Sequence, residues 1–231
     1  MFWAILSNII LYNFPSNPTG ATLSAEQRDE LLDFAARHDL WIISDEVYDR
    51  IVYSGNHVSF MGMGYEQLLL INSFSKTFAM TGWRIGYILS PDPEAMSHIT
   101  KMQYYVTACS NDAMQYAVLE ALEKAPDYPA MMRDEFKERR DLICARLNAM
   151  PGVSCHIPTG AFYVFPKIDV PGMNSEEIAM ALLDGGVLCS PGSAFGEAGE
   201  GHLRFAYTIG REGISLGMDR VEKVLAELRG D

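Results

Sequence analysis

The sequence predicts an α/β fold, a mainly parallel sheet flanked by helices, followed by a smaller α+β region. Three observations carry that expectation. Apolar runs of strand length recur at Ile9 to Tyr12, Leu40 to Ser44, Leu68 to Ile71 and Ile85 to Leu89. Such near-continuous runs suit strands covered on both faces. Turn residues and a helical pattern separate them, which is the alternation that builds parallel sheets. Finally, Pro151-Gly152 ends a long helical stretch, and beyond it strands precede helices. Residues 1–150 are therefore expected to form the larger domain with its connecting helix, and 151–231 the smaller one.

In chain order, apolar Met1 to Tyr12 reads as a buried strand that ends at Asn13-Phe14-Pro15-Ser16-Asn17-Pro18-Thr19-Gly20. Two X-Pro steps and a glycine make that segment an extended, turning loop. Ser24 and Gln27 have capping-box spacing, and Leu31, Leu32, Ala35 and Ala36 supply an apolar stripe for the helix. After the next strand come Asp45-Glu46 and Tyr48. The run at 68–71 leads into a loop, Ser73 to Tyr87. Asp92-Pro93 has the cap and first-turn proline of a helix. A second helix follows Ser110, and a third covers roughly Tyr128 to Met150, with Met132, Phe136, Ile143 and Leu147 on its buried side. Strands are expected at Val153 to Ile157, Phe162 to Phe165, Val187 to Ser190 and His202 to Thr208. Helices are expected from Asn174-Ser175 to Leu183 and from Ile214 to Leu228, with a glycine-rich loop at 191–201.

A net charge of -12 over 231 residues argues against nucleic-acid or anionic-membrane partners, which need a basic footprint. The apolar opening lacks the basic start of a signal peptide and is too short to span a bilayer. Cys109, Cys144, Cys155 and Cys189 show no CxxC spacing and no metal-like clustering with histidine, as in a reduced, cytoplasmic protein.

In an open parallel sheet, ligands sit beyond the carboxyl ends of the strands. Asn17, Asp45, Tyr48 and Lys76 are all expected on that edge. A lysine held close to a buried strand loses solvation, so its pKa falls and its amine becomes usable. Taken alone, it reads equally as a solvated loop residue. In His202-Leu203-Arg204-Phe205-Ala206-Tyr207, alternation puts Leu203, Phe205 and Tyr207 on one face and Arg204 on the other. That arginine fits either a structural ion pair or a bidentate clamp on a ligand carboxylate.

Together these groups suit one ligand. A desolvated lysine forms a Schiff base with an aldehyde. Asp45 could face a protonated pyridine nitrogen, while Asn17 and Tyr48 could hold a phenolate oxygen. Ser73, Ser75 and Arg84 supply hydroxyls and a fixed charge for a phosphate. Aldehyde, pyridine, phenolate and phosphate describe pyridoxal 5'-phosphate.

The sequence resembles the class I/II, fold-type I pyridoxal-phosphate aminotransferases. Ser73-Phe74-Ser75-Lys76 followed by Gly82-Trp83-Arg84-Ile85-Gly86-Tyr87 is similar to the family's cofactor-attachment motif. Asn17-Pro18-Thr19-Gly20, Ser44-Asp45-Glu46-Val47-Tyr48 and Leu203-Arg204-Phe205-Ala206-Tyr207 match its other signatures in family order. The wording is most similar to the aspartate and aromatic branch. The resemblance implies that Lys76 holds the cofactor and later moves the substrate proton. It implies that Asp45 keeps the ring nitrogen protonated and that Asn17 and Tyr48 bind the ring oxygen. Ser73, Ser75 and Arg84 would bind the phosphate, and Arg204, aided by Asn17, the substrate carboxylate. The implied reaction exchanges an amino group between an L-amino acid and a 2-oxo acid in a homodimer.

The family also carries a long stretch before the Asn17 motif, with a phosphate-binding helix and a stacking aromatic ring. This sequence lacks that stretch, so the resemblance implies the carboxyl-terminal part of the fold. Two other readings follow. The chain could be an inactive remnant serving as a cofactor-binding or association module, or a β-lyase or decarboxylase on the same scaffold.

Overall fold

The computed structural model describes residues 8–230, and its first part is built on a four-stranded sheet in the order β1-β2-β3-β4. Strand β1 (Ile9–Asn13) leads through a loop to helix α1 (Ala25–Arg37) and strand β2 (Trp41–Asp45). The capping box forms: Ser24 Oγ accepts from the Gln27 amide at 3.2 Å, and the Gln27 side chain accepts from the Ser24 amide at 3.0 Å. Two otherwise unpaired backbone donors are thereby satisfied. Strand β3 (Leu68–Ser73) runs straight into a single helical turn, α2 (Phe74–Thr77), capped by Ser73, and then β4 (Gly86–Leu89). Helices α3 (Pro93–Thr107) and α4 (Asp112–Lys124) follow, capped by Asp92 and Asn111.

Strands β1, β2 and β3 are parallel, with Asn13 opposite Asp45 and Asp45 opposite Ile71. Residues just past these positions therefore leave the sheet on one edge. Strand β4 is antiparallel to β3, so the sheet is mixed. Gly86 is required there, because a Cβ at this position would sit 2.7 Å from the Asn72 carbonyl oxygen. Leu23, Ala35, Leu40, Ile42, Phe60 and Leu68 form the core between α1 and the sheet.

Two expectations need correction. Met1 to Ser7 of the expected opening strand lie outside the described residues. The described remainder is an edge strand covered on one face only: Ile10 and Tyr12 pack against the core beside α1, while Ile9 and Leu11 on the other face are 51% and 71% exposed. The stretch Ser73 to Tyr87 is also not a plain loop. Ser73 Oγ accepts from the Ser75 amide at 3.0 Å, which starts α2, and a 3-10 turn at Thr81–Trp83 follows.

Contacts divide the chain into two compact units, Met1–Pro15 with Thr22–Met131, and Ser16–Ala21 with Met132–Asp231. The division between these units falls inside helix α5 (Tyr128–Asn148). In the second unit the Phe136 ring of α5 lies 5.4 Å from Phe162 and 6.4 Å from Tyr207. The strands of this unit are shorter than the sequence suggests. They are β5 (Val153–Ser154), β6 (Tyr163–Val164), β7 (Lys167–Ile168, not foreseen), β8 (Ser190–Pro191) and β9 (Leu203–Ala206). Prolines at 158, 166 and 191 limit their length. Helix α6 (Ser175–Asp184) lies between β7 and β8, and α7 (Arg211–Arg229) closes the chain. Strand β9 pairs with both β6 and β8, and Leu203, Phe205 and Tyr207 are buried, as alternation predicts. Gly20 belongs here too: it has φ +69°, and a Cβ would meet the Pro158 Cβ at 2.4 Å.

Candidate functional site

In the first unit the candidate residues sit where β2 and β3 end. Asp45 is the last residue of β2, and Tyr48, buried at 4% exposure, lies in the turn beyond it. Lys76 projects from α2, one turn past the end of β3, with Nζ 5.8 Å from the centre of the Tyr48 ring. Burial, and after it the charge of Arg84, pushes the Lys76 amine below its ordinary value of 10.5.

Asp45 shifts the other way. Burial, reinforced by the neighbouring Glu46 charge, pushes its carboxyl above 3.8, although Val47 and Asn13 donate hydrogen bonds to it. No cationic side chain pairs with it among the described residues. A partly buried carboxylate without a cation is costly. It fits a ligand that brings a positive charge of its own.

Ser73, Ser75 and Arg84 line a cavity of about 480 Å³, together with Asn72, Tyr87 and Gln103. Lys76 and Asp45 are not part of that lining. The Ser73 hydroxyl donates to the Ile85 carbonyl at 3.3 Å. Arg84 is exposed, sits in the left-handed region at φ 55°, and donates to the Thr81 carbonyl at 2.9 Å. The two hydroxyls and the guanidinium are a donor set suited to a phosphate.

Asn17 and Arg204 belong to the second unit and meet there. Arg204 Nη1 donates to Asn17 Oδ1 at 2.8 Å, and Nη2 donates to Ser190 Oγ at 3.0 Å. Tyr163 and Phe195 place their rings 4.7 Å and 4.9 Å from the guanidinium carbon. The structural-ion-pair reading of Arg204 is not realised, since no carboxylate pairs with it among the described residues. A guanidinium has five N–H donors, so the two bonds to Asn17 and Ser190 leave a fork for a carboxylate.

Sequence reasoning missed the partners. Ser190, Tyr163 and Phe195 come from three separate segments, and no spacing rule links them to Arg204. Glu46 was visible only as the neighbour of Asp45. It is buried at 3% exposure and accepts from Ser44, Ser59, the Phe60 amide and His57. Among the described residues there is no cluster that could hold a metal ion, and no helix is long and apolar enough to cross a membrane.

With this geometry in place, the comparison with known proteins is informative. The family model for aminotransferase class I and II matches residues 4–220. The chain belongs to the class I and II aminotransferase family. An aromatic-amino-acid aminotransferase of Thermococcus litoralis is 42% identical over 225 residues, covering 94% of this chain and 57% of that protein. An aspartate aminotransferase of Pyrococcus abyssi is also 42% identical and is covered to 57% of its length. The crystal structure of an aromatic aminotransferase from Pyrococcus horikoshii superposes with a TM-score of 0.89 at 40% identity, covering 95% of this chain and 60% of that one. The fold is therefore that of the fold-type I aminotransferases, and this chain spans little more than half the length of these family members.

Proposed function

We propose that this chain carries the lysine, aspartate and carboxylate-binding arginine of a pyridoxal-phosphate aminotransferase that exchanges an amino group between an L-amino acid and a 2-oxo acid. The observation that carries the reading is the placement of Asp45 at the end of β2 and of Lys76 one turn past β3, with Lys76 Nζ 5.8 Å from the centre of the Tyr48 ring. When bound, the cofactor supplies an electron sink for charge developing at the substrate Cα. Lys76 would hold its aldehyde carbon, Asp45 its ring nitrogen, Tyr48 and Asn17 its ring oxygen, and Ser73, Ser75 and Arg84 its phosphate. Arg204 binds the substrate α-carboxylate through a rigid fork and so orients the Cα–H bond. The Lys76 amine, neutral more often than an exposed one, then accepts and returns that proton at Nζ. The names of the relatives point to aspartate or aromatic amino acids as donors. A cytoplasmic homodimer belongs to the same proposal.

A second reading has one specific observation behind it. On α3 and α4 the side chains of Met102, Tyr104, Tyr105, Val106 and Tyr116 are all more than 60% exposed. Apolar surface of this kind marks an association site, so a module that binds cofactor and associates without turnover is the alternative. One experiment separates the two. Cofactor absorbance is followed as single amino acids are added to the loaded chain, with its mass in solution measured in parallel. Spectral conversion by an aspartate-like or aromatic amino acid supports the aminotransferase. Loading and association without conversion by any amino acid supports the module.

A further inference from the structure

Glu46 stands between Asp45 and Tyr48 in sequence, yet its side chain turns to the opposite side of β2 from Asp45, as alternation requires. Its amide donates to the Ile71 carbonyl at 2.9 Å, extending the β2–β3 pairing one residue past Asp45. Its carboxylate is a hub. Oε1 accepts from Ser44 Oγ at 3.0 Å, Ser59 Oγ at 3.1 Å and the Phe60 amide at 3.1 Å, and Oε2 meets His57 Nε2 at 2.6 Å. Burial pushes this carboxyl up, but the donors, led by His57, outweigh it and leave it below its ordinary value.

Four donors from one strand residue and one distant loop fix the carboxylate in direction as well as depth. The loop is itself anchored, since Arg28 on α1 donates to the Ser59 carbonyl at 3.3 Å. The turn bearing Tyr48 hangs from the same residue: the Asp49 amide donates to the Glu46 carbonyl at 3.0 Å, and the Ile51 amide to the Tyr48 carbonyl at 2.8 Å. An apolar side chain would fill the space without setting any angle. Directional hydrogen bonds set one, which is the use of a buried charge that packing alone cannot supply.

We propose that Glu46 and His57 are positioning residues that lock the Asp45–Tyr48 turn in the orientation needed to receive the cofactor ring. The functional part of this statement rests on the reading given under Proposed function, while the locking itself does not. The test uses the full chain, first without cofactor. Hydrogen exchange is measured at the Val47, Asp49 and Ile51 amides, with β3 amides as the reference for global opening. Glu46→Ala should raise exchange in the turn by about tenfold or more relative to β3. Glu46→Gln, which keeps an acceptor for Ser44, Ser59 and Phe60, should restore most of the protection. His57→Gln, a milder variant should Glu46→Ala fail to fold, should fall between them. Pyridoxal phosphate affinity should decline in the same order. Turn and β3 amides rising together, or Glu46→Gln behaving like Glu46→Ala, would overturn the proposal. A wild-type chain that shows the exchange pattern but binds no pyridoxal phosphate would support the lock and overturn the cofactor reading.

Discussion

Lys76 lies just past β3 and Arg204 within β9, and the surroundings of these two cations differ in kind. Lys76 has the Tyr48 ring at 5.8 Å, and burial, followed by the charge of Arg84, drives its amine toward the neutral form. Arg204 is held by hydrogen bonds to Asn17 and Ser190 and by the rings of Tyr163 and Phe195. Its charge is permanent, since a guanidinium does not deprotonate in proteins. The difference separates a group that must change state from one that must keep it. A nucleophile and proton carrier needs a lowered pKa and freedom at its tip. A carboxylate clamp needs a fixed charge and a fixed plane.

Removing the group that changes state should have the largest effect. Lys76→Ala is expected to abolish the borohydride-fixed cofactor label found by peptide mapping, and to slow the amino-acid half-reaction by about a hundred- to ten-thousandfold. A label that persists in the variant would place the attachment site on another lysine. The rate of labelling in the wild type should rise with pH and reach its plateau below the ordinary lysine value of 10.5, because the folded amine loses its proton early.

Asp45→Asn comes next. Asparagine keeps the acceptor for the Val47 amide but cannot pair with a ring cation, so cofactor affinity should fall by about thirtyfold, or about 2 kcal/mol. That is below the range for fully buried pairs because Asp45 is only partly buried. The cofactor-free chain should respond in the opposite sense. The folded carboxyl binds its proton more tightly than the unfolded one, so the stability that Asp45 contributes is fully present below about pH 3.8 and is lost as pH rises through the folded pKa. Asp45→Asn escapes that loss and should melt higher than wild type at neutral pH, with the gap closing in acid. Equal melting at both pH values would mean that the carboxyl is not destabilised by burial.

The same contrast explains what could be read from the sequence. Residues set by local rules were legible: the Ser24 capping box, the Asp92 cap, the alternation of β9, and the placement of Asp45 and Lys76 just past strands. The fold class followed from these, and the family resemblance added the roles proposed for the residues. What stayed hidden depends on distant pairing. The exposure of Ile9 and Leu11 depends on what packs over their face of the sheet, which an apolar run does not specify. The box around Arg204 draws on residues 17, 163, 190 and 195, which only the folded second unit brings together. Glu46 was likewise unreadable as a hub, since its donors at 57, 59 and 60 sit on a long connection without periodicity.

Arg204→Lys tests the fixed plane. Lysine keeps the charge but loses the fork and the aromatic stacking. The KM for amino acids should rise about ten- to a hundredfold, the loss of about one charge-assisted bond. Cofactor affinity should fall by less than KM rises, because the cost to the ring site is limited to Asn17, which loses its bond from Arg204 Nη1. Parallel loss of both would show that Arg204 holds up the second unit instead of a substrate.

Phe195→Leu should give the smallest effect, and it separates orientation from charge. The ring lies 4.9 Å from the guanidinium carbon and the Tyr163 ring 4.7 Å from it, so two rings contact the ion. A cation–π contact at a partly open site contributes about 0.5–1 kcal/mol, hence a two- to fivefold rise in KM at about constant kcat. Leucine preserves apolar cover, and the hydrogen bonds from Arg204 to Asn17 and Ser190 remain. A change confined to KM would therefore mean that the ring stiffens an arginine already in place. A fall in kcat with KM unchanged would move Phe195 from holding the clamp to shaping the reacting geometry, and would weaken the division of labour between the two cations.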